Sequence, residues 1–280
     1  MAEVNSELAV LRANAKALWM AGDYAKWSIT LAPGAQTFVD RLHIQPNMRV
    51  LDVACGDGNA AIPAARAGAM VTGIDIATSS LEAGRMRAAQ MGVVVQFDEG
   101  DAEQLPYARD AFDLVISFFG GVFTPRPEVA AAEFIRVCKP GGRIVLTSWS
   151  SEGFMGQMFK LIGQYSSPPP ASPPVGPVNN SAPTLSWTDE AQLREHLRRR
   201  VIGVHISPQV CPFVYPYGVP EVVALFRHYN GPITKAFERL APPMQMALQR
   251  EMEALFAQHN IAGDSATHIN AAYLEINIKR

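Results

Sequence analysis

Two glycines and a group of carboxylates between positions 52 and 101 are the residues best suited to hold a ligand. In "VLDVACGDGNAA", Val50 to Ala61, Asp52 precedes Gly56 and Gly58, and Asp57 lies between the glycines. Glycine there allows a left-handed backbone and lets a ligand approach the main chain. The helix that starts next offers free amides. The order G-D-G-N-A-A also fits the G-x-G-x-x-G/A spacing of dinucleotide folds, although a plain strand–helix turn has the same look. Asp75 ends the next apolar run, with Ile76 beside it, where a carboxylate can accept hydrogen bonds from both ribose hydroxyls. Asp101 and Ala102, in "EGDAEQLP", form a further polar edge. Asp52 and Asp57 would repel a pyrophosphate and would not repel an amino-acid zwitterion. The turn therefore suits a nucleoside bearing an amino acid better than a dinucleotide. A carboxylate inside a strand needs partners, so Asp52 is expected to meet loop amides or a cationic ligand group.

The elements around these residues read as alternating strands and helices. "RVLDVA" (49–54), "MVTGIDI" (70–76), "VVVQFDEG" (93–100), "FDLVISF" (112–118) and "GRIVLTSW" (142–149) are short runs rich in Val and Ile, as in strands buried on both faces. Helical segments at 59–67, 78–91 and 127–138 separate them, which argues for a parallel, doubly wound α/β sheet. Before this core, a helix is expected up to Gly22 and a second in "APGAQTFVDRLHI". After it, 153–165 reads as helix, "SSPPPASPPVGP" (166–177) as a loop because proline lacks the donor, and "WTDEAQLREHL" as a helix capped by Thr188. A strand is expected at 200–207, mainly helices over 219–261, and a last strand near 268–278.

Composition removes several classes. The net charge is −2 and the pI about 6.3, so the general positive field of a nucleic-acid binder is missing. The one dense basic run, Arg194 to Arg200, reads as a solvated helix end. No apolar stretch is long enough to span a membrane, and charges at Glu3, Glu7, Arg12 and Lys16 break any signal sequence. Cys55, Cys138 and Cys211 are far apart, as are the histidines, so no metal site is expected. The thiols read as reduced, in a cytoplasmic protein. Cys55 reads as a small turn residue.

Four segments, in order, resemble the class I S-adenosylmethionine-dependent methyltransferases of the small-molecule, ubiquinone/menaquinone-methyltransferase-like group. They are "VLDVACGDG", "VTGIDIATSSLEAGR", "GDAEQLPYARDAFDLVIS" and "EFIRVCKPGGRIVLTSW", covering about residues 45–150. The resemblance implies a Rossmann-like sheet of seven strands with an antiparallel last strand, and S-adenosyl-L-methionine as cofactor. It implies that Gly56 and Gly58 approach the methionine part, that Asp75 holds the ribose, and that Asp101 with Ala102 flanks the adenine. Ser117 or Phe118 would lie near the sulfonium. The domains implied are N-terminal helices at 1–44, a cofactor core at 45–150, and a remainder at 151–280 that completes the sheet. A substrate cap is expected at 153–187 and 213–262.

The acceptor is expected to be a small, apolar or aromatic molecule. Trp19, Tyr24, Trp27, Phe119, Phe123, Trp149, Phe213 and Tyr217 are the candidate contacts, and Gly120 and Gly121 let the loop after the fourth strand bend. No catalytic base announces itself. His228 beside Tyr229 is the first candidate and His205 the second. No "DPPY"-like or "NPPY"-like segment points to a nucleic-acid amine. An NAD(P)-dependent oxidoreductase and a non-catalytic cofactor-binding protein are the alternatives. The oligomeric state cannot be read from the sequence.

Overall fold

The computed structural model describes residues 2–165, 186–197 and 200–280. Helices α1 (Ala2–Trp19), α2 (Tyr24–Ser28) and α3 (Ala32–Arg41) precede strand β1 (Arg49–Val53). Then follow α4 (Ala61–Arg66), β2 (Met70–Asp75), α5 (Thr78–Gln90), β3 (Val95–Glu99), β4 (Phe112–Ser117), α6 (Pro127–Val137) and β5 (Cys138–Trp149). Beyond β5 come α7 (Phe154–Tyr165), α8 (Glu190–Leu197), β6 (Gly203–Tyr215), α9 (Val219–Tyr229), α10 (Gly231–Glu238), α11 (Pro242–His259) and β7 (Thr267–Lys279).

The strands form one seven-stranded sheet in the order β3-β2-β1-β4-β5-β7-β6. Strands β1 to β5 pair in parallel, and β7 runs antiparallel to β5, from Arg143 opposite Lys279 to Trp149 opposite Tyr273. The chain winds outward from β1 to β3 and then returns to β4 on the other side of β1. That reversal opens a crevice at the carboxyl ends of β1 and β4, the place where such sheets bind ligands. Consecutive residues Val50 and Leu51, and Leu114, Val115 and Ile116, are buried, as expected of strands covered on both faces.

The chain divides into two compact units. The described parts of 31–150, 182–211 and 272–280 form the sheet unit, whose core joins Leu51, Val115 and Ile144 to Phe134, Trp187 and Leu193. The described parts of 1–30, 151–181 and 212–271 form a mainly helical unit. Its core is aromatic: Phe154 and Phe226 each meet Phe256 edge-on, with centroids 4.7 and 5.1 Å apart.

Several boundaries differ from the sequence reading. Strand β6 begins at Gly203 and runs on to Tyr215, well past the expected end at 207. Pro208 and Pro212 hid the extension. Proline is tolerated because β6 is an edge strand, and buried Cys211, Phe213 and Tyr215 alternate with exposed Val210 and Val214. Phe213 and Tyr215 therefore belong to a strand and not to an inserted segment. Helix α8 is capped by Asp189, whose carboxylate accepts the Gln192 amide at 2.9 Å, and not by Thr188. Helix α3 stops at Arg41, just before His43 adopts φ 51°. The proline-rich run 166–177 and Arg198 and Arg199 of the basic run lie outside the described residues.

Phe134 is buried on α6 and stacks near Trp187, centroids 6.1 Å apart. Phe134→Ala should cost about 3–5 kcal/mol of stability, the range for an aromatic removed from a packed core. Urea unfolding of the two proteins measures this, and a loss below about 1 kcal/mol would show that the contact is loose.

Candidate functional site

The turn after β1 alternates left-handed residues: Ala54 at φ 54°, Gly56 at 55° and Gly58 at 85°. Asp75, at the end of neighbouring β2, fixes it. One carboxylate oxygen accepts the Gly56 amide at 2.8 Å and the other accepts the Ala77 amide at 2.8 Å. Burial pushes the Asp75 carboxyl above its usual range against the pull of the Ala77, Gly56 and Ile76 amides. Three amides on about four acceptor sites leave the carboxylate room for one further donor, such as a ligand hydroxyl. Ile76, half-buried, follows it.

Asp52 is the anomaly of the site. It is 1% exposed, and neither carboxylate oxygen has a well-formed hydrogen bond among the described residues. Burial drives its carboxyl well above the usual range. The Ala61 amide opposes that shift and the Asp75 charge adds to it. Asp57 is treated differently: the Arg87 guanidinium, from α5, reaches it at 3.1 Å and Asn59 at 2.7 Å. The sequence reading missed Arg87 and Asn59. An arginine 30 positions from Asp57 gives no local signal. Burial raises the Cys55 thiol, with Asp52 and Asp75 adding to the rise, so the protonated thiol is a packing group and a poor nucleophile.

Across the crevice, the end of β4 is pinned by hydrogen bonds. The Ser117 hydroxyl donates to the Val53 carbonyl at 2.6 Å and accepts the Gly121 amide at 2.7 Å. Ser117 is thus occupied in joining β1 to the loop after β4. Phe119 adopts φ 64°, and its amide donates to the Thr147 hydroxyl at 2.8 Å. Its ring stacks on Trp149 at 3.5 Å and 8° and meets Tyr273 edge-on at 5.2 Å. Phe118 packs between Phe119 at 4.3 Å and Phe38 at 5.3 Å. Tyr273 is held in turn by Arg41, which donates to its hydroxyl at 2.6 Å and to Glu275 at 2.7 Å. Burial pushes the Tyr273 hydroxyl up to about 12 against the Arg41 charge. Phe123 is half-buried in the short turn that follows.

The loop after β3 is also braced. Asp101 accepts the Glu103 amide at 2.8 Å, and Ala102 packs its methyl into the core. Buried Glu103 takes both the amide and the guanidinium of Arg126, at 2.6 and 2.7 Å. Glu133 and Arg136 of α6 hold Leu105 from both sides of its peptide. Glu103, Arg126, Glu133 and Arg136 were not singled out in the sequence, where each reads as an ordinary surface charge.

Other candidates lie in the helical unit. Trp27 is buried, with Tyr24 at 5.5 Å and Phe226 edge-on at 5.7 Å, and its indole N–H has no acceptor among the described residues. Trp19 is half-buried. Phe213 is fully buried between Phe154 and Phe226, which makes it core, and Tyr217 is largely exposed. His228 is exposed on α9. Tyr229 is half-buried, with the Lys26 ammonium 5.1 Å over its ring. His205 is exposed on β6, in the sheet unit. Among the described residues no His, Cys, Asp and Glu group has the arrangement of a metal site, and no helix is long and apolar enough to cross a membrane.

Residues 50–142 match the family described as "Methyltransferase domain". The chain is 35% identical over 252 residues to the uncharacterized protein Rv1405c of Mycobacterium tuberculosis, covering 89% of each chain. It is 39% identical over 116 residues to a demethylmenaquinone methyltransferase of Renibacterium salmoninarum, covering 41% of this chain and 47% of that one. Among solved structures, a SAM-dependent methyltransferase of Thermotoga maritima shares the fold with a TM-score of 0.53 and 16% identity, covering 91% and 93% of the two chains. The chain belongs to one family with the mycobacterial protein, and its core is the methyltransferase domain of a class I S-adenosylmethionine-dependent enzyme.

Proposed function

We propose that this enzyme transfers a methyl group to a small, hydrophobic metabolite by in-line displacement, and that the turn after β1 is the seat of its cofactor. The cofactor assignment rests chiefly on Asp52, a buried carboxylate without a full hydrogen bond beside two left-handed glycines. Such a group suits a ligand that brings an ammonium and disfavours one that brings a pyrophosphate. Adenosylmethionine, when bound, supplies an electrophilic methyl group on a sulfonium. In this reading Asp52, Gly56 and Gly58 receive its amino-acid part, Asp75 and Ile76 its ribose, and Asp101 and Ala102 its adenine, with Ser117 and Phe118 closing the β4 side. Ser117 acts there by holding backbone, since its hydroxyl is already taken.

The hydrophobic acceptor is supported by the aromatic group at the carboxyl ends of β4 and β5: Phe118, Phe119, Trp149 and Tyr273. Apolar walls exclude water, and alignment of the nucleophile supplies much of the acceleration in such a displacement. The likeness to a demethylmenaquinone methyltransferase over 116 residues supports membership of the quinone-methylating group and adds quinols to the acceptors to be tried. The helical segments in 153–187 and 213–262, with the N-terminal helices, are the proposed substrate-selecting part. The Trp27 indole N–H, without an acceptor among the described residues, offers an acceptor molecule a hydrogen bond. His228 and Tyr229 are the proposed proton-accepting or aligning pair.

Adenosylmethionine and adenosylhomocysteine should bind and raise the melting temperature, while NAD and NADP should do neither. Calorimetric binding of a dinucleotide without binding of adenosylmethionine would overturn the assignment of the turn. Asp75→Ala should weaken adenosylhomocysteine by about 1.5–3 kcal/mol, the range for charge-assisted hydrogen bonds. Unchanged affinity in the folded variant would remove Asp75 from the site.

Labelled adenosylmethionine incubated with quinols, phenols, aromatic amines and polar controls tests the acceptor class, and label transferred only to polar controls would contradict it. With the best acceptor, His228→Ala or Tyr229→Phe should lower kcat by about 100-fold or more if proton transfer is involved. Cofactor affinity should stay the same. Full turnover in both variants would leave the two residues as packing groups.

A further inference from the structure

Asp52 lies where a charge is hardest to hold. It stands in strand β1, inside the sheet and 1% exposed, with neither oxygen in a well-formed hydrogen bond among the described residues. The groups that face it do not neutralise it. From β2 comes Asp75, a second carboxylate, and from the turn the Cys55 thiol. From the start of α4 comes the Ala61 amide, which is favourable but uncharged. Arg87, the α5 cation that reaches this turn, is engaged with Asp57 and Asn59. From β4, the residue in register with Asp52 is buried Ile116, which offers neither a proton nor a charge. A carboxyl group in such surroundings is more stable with its proton on.

We infer that cofactor binding is proton-linked at Asp52: the carboxyl group carries a proton in the free protein and releases it to solvent when the ligand's ammonium arrives. The inference rests on the assignment of this turn as the cofactor seat. The O–H bond of Asp52 breaks, its proton leaves to buffer, and the ammonium keeps all of its own protons. The charge of the Asp52–ammonium pair is then zero, as the protonated carboxyl group's was before, while the ligand's own carboxylate is left to the glycine-turn amides. A ligand with the same adenosine and thioether but no amino-acid part brings no counter-charge and displaces no proton.

The sign for stability follows. Burial raises the folded-state pKa of Asp52 above its unfolded value. Between those two values the folded state holds the extra proton, so stability falls as pH rises through that window, and the penalty stays constant above it. Asp52→Asn removes this penalty. The ligand-free Asp52→Asn variant should therefore melt higher than the wild type at neutral pH, while its adenosylhomocysteine affinity falls about 10- to 100-fold.

Calorimetric titration of the 280-residue protein with adenosylhomocysteine at pH 7, in phosphate and in Tris, reads the proton count directly. The two buffers differ in ionisation enthalpy, so a released proton makes the apparent binding heats differ. About one proton should leave per wild-type site, and none for Asp52→Asn. 5′-Methylthioadenosine should release none from the wild type. It keeps the ribose, so a proton released with both ligands would come from Asp75 and would overturn the assignment to Asp52. Where the variant does not fold, the comparison of the two ligands on the wild type decides. Adenosylhomocysteine that binds with identical heats in the two buffers overturns the proton linkage and leaves the cofactor seat standing. A folded wild type that binds no adenosylhomocysteine removes both.

Discussion

Asp75 clasps the turn after β1 by accepting the amides of Gly56 and Ala77, each at 2.8 Å. The ligand side of the sheet is arranged around that clasp. It ties β1 to β2 through charge-assisted bonds, the stronger kind of hydrogen bond, and it fixes a left-handed glycine where a looser turn would wander. It also places a carboxylate beside Asp52. The turn therefore gathers more carboxyl groups than its own backbone can hold ionised. Arg87 compensates Asp57 from α5, but among the described residues nothing comparable reaches Asp52. The cost is tolerable because the rest of the central sheet is well packed, with Val50, Leu51 and Val53 buried around the same residue.

The second strand end at the crevice shows a matching economy of backbone. Ala54 at φ 54° and Phe119 at φ 64° are side-chain-bearing residues in a region that costs about 1–2 kcal/mol each. They terminate adjacent strands. Gly120 passes so near Ala54 that a Cβ there would lie 2.5 Å from the Ala54 carbonyl oxygen. Such geometry persists only where neighbours over-determine it. Here those neighbours are identifiable: the Thr147 hydroxyl holds the Phe119 amide, Trp149 covers its ring, and Ser117 bonds both Val53 and Gly121. Arg41 extends the support by fixing Tyr273 against Glu275. The strained pair sits at the point where the strand order of the sheet reverses.

The sheet was legible because its signals are local. Val- and Ile-rich runs mark β1 to β5, and the glycines mark the turn. Asp75 closes β2 as its position suggested, and β7 pairs antiparallel with β5. What stayed hidden depends on contacts distant in sequence. Arg87 meets Asp57 across 30 positions, and Arg126 meets Glu103 across 23. Proline masked the end of β6 because a pattern rule cannot tell an edge strand from a central one before the sheet order is known. Thr188 and Asp189 are both good caps, and only the direction of the chain entering α8 chooses between them.

The aromatics show most clearly why pattern alone stops short of a binding surface. Phe119 and Phe213 are each flanked by other aromatics in sequence or in space, and both end up buried. Phe213 meets Phe154 at 88° and Phe226 at 46°, inside a cluster of edge contacts that hold helices together. Phe119 lies nearly parallel to Trp149 on a backbone that strain holds at the end of β4. Packing energy accounts for Phe213 completely, since any large apolar side chain gains from that burial. It does not account for Phe119, whose burial could be had in the ordinary helical or extended region without the left-handed cost. The difference between the two residues is therefore in the backbone and not in the side chain. That is why residue type and spacing in the sequence could list both and separate neither.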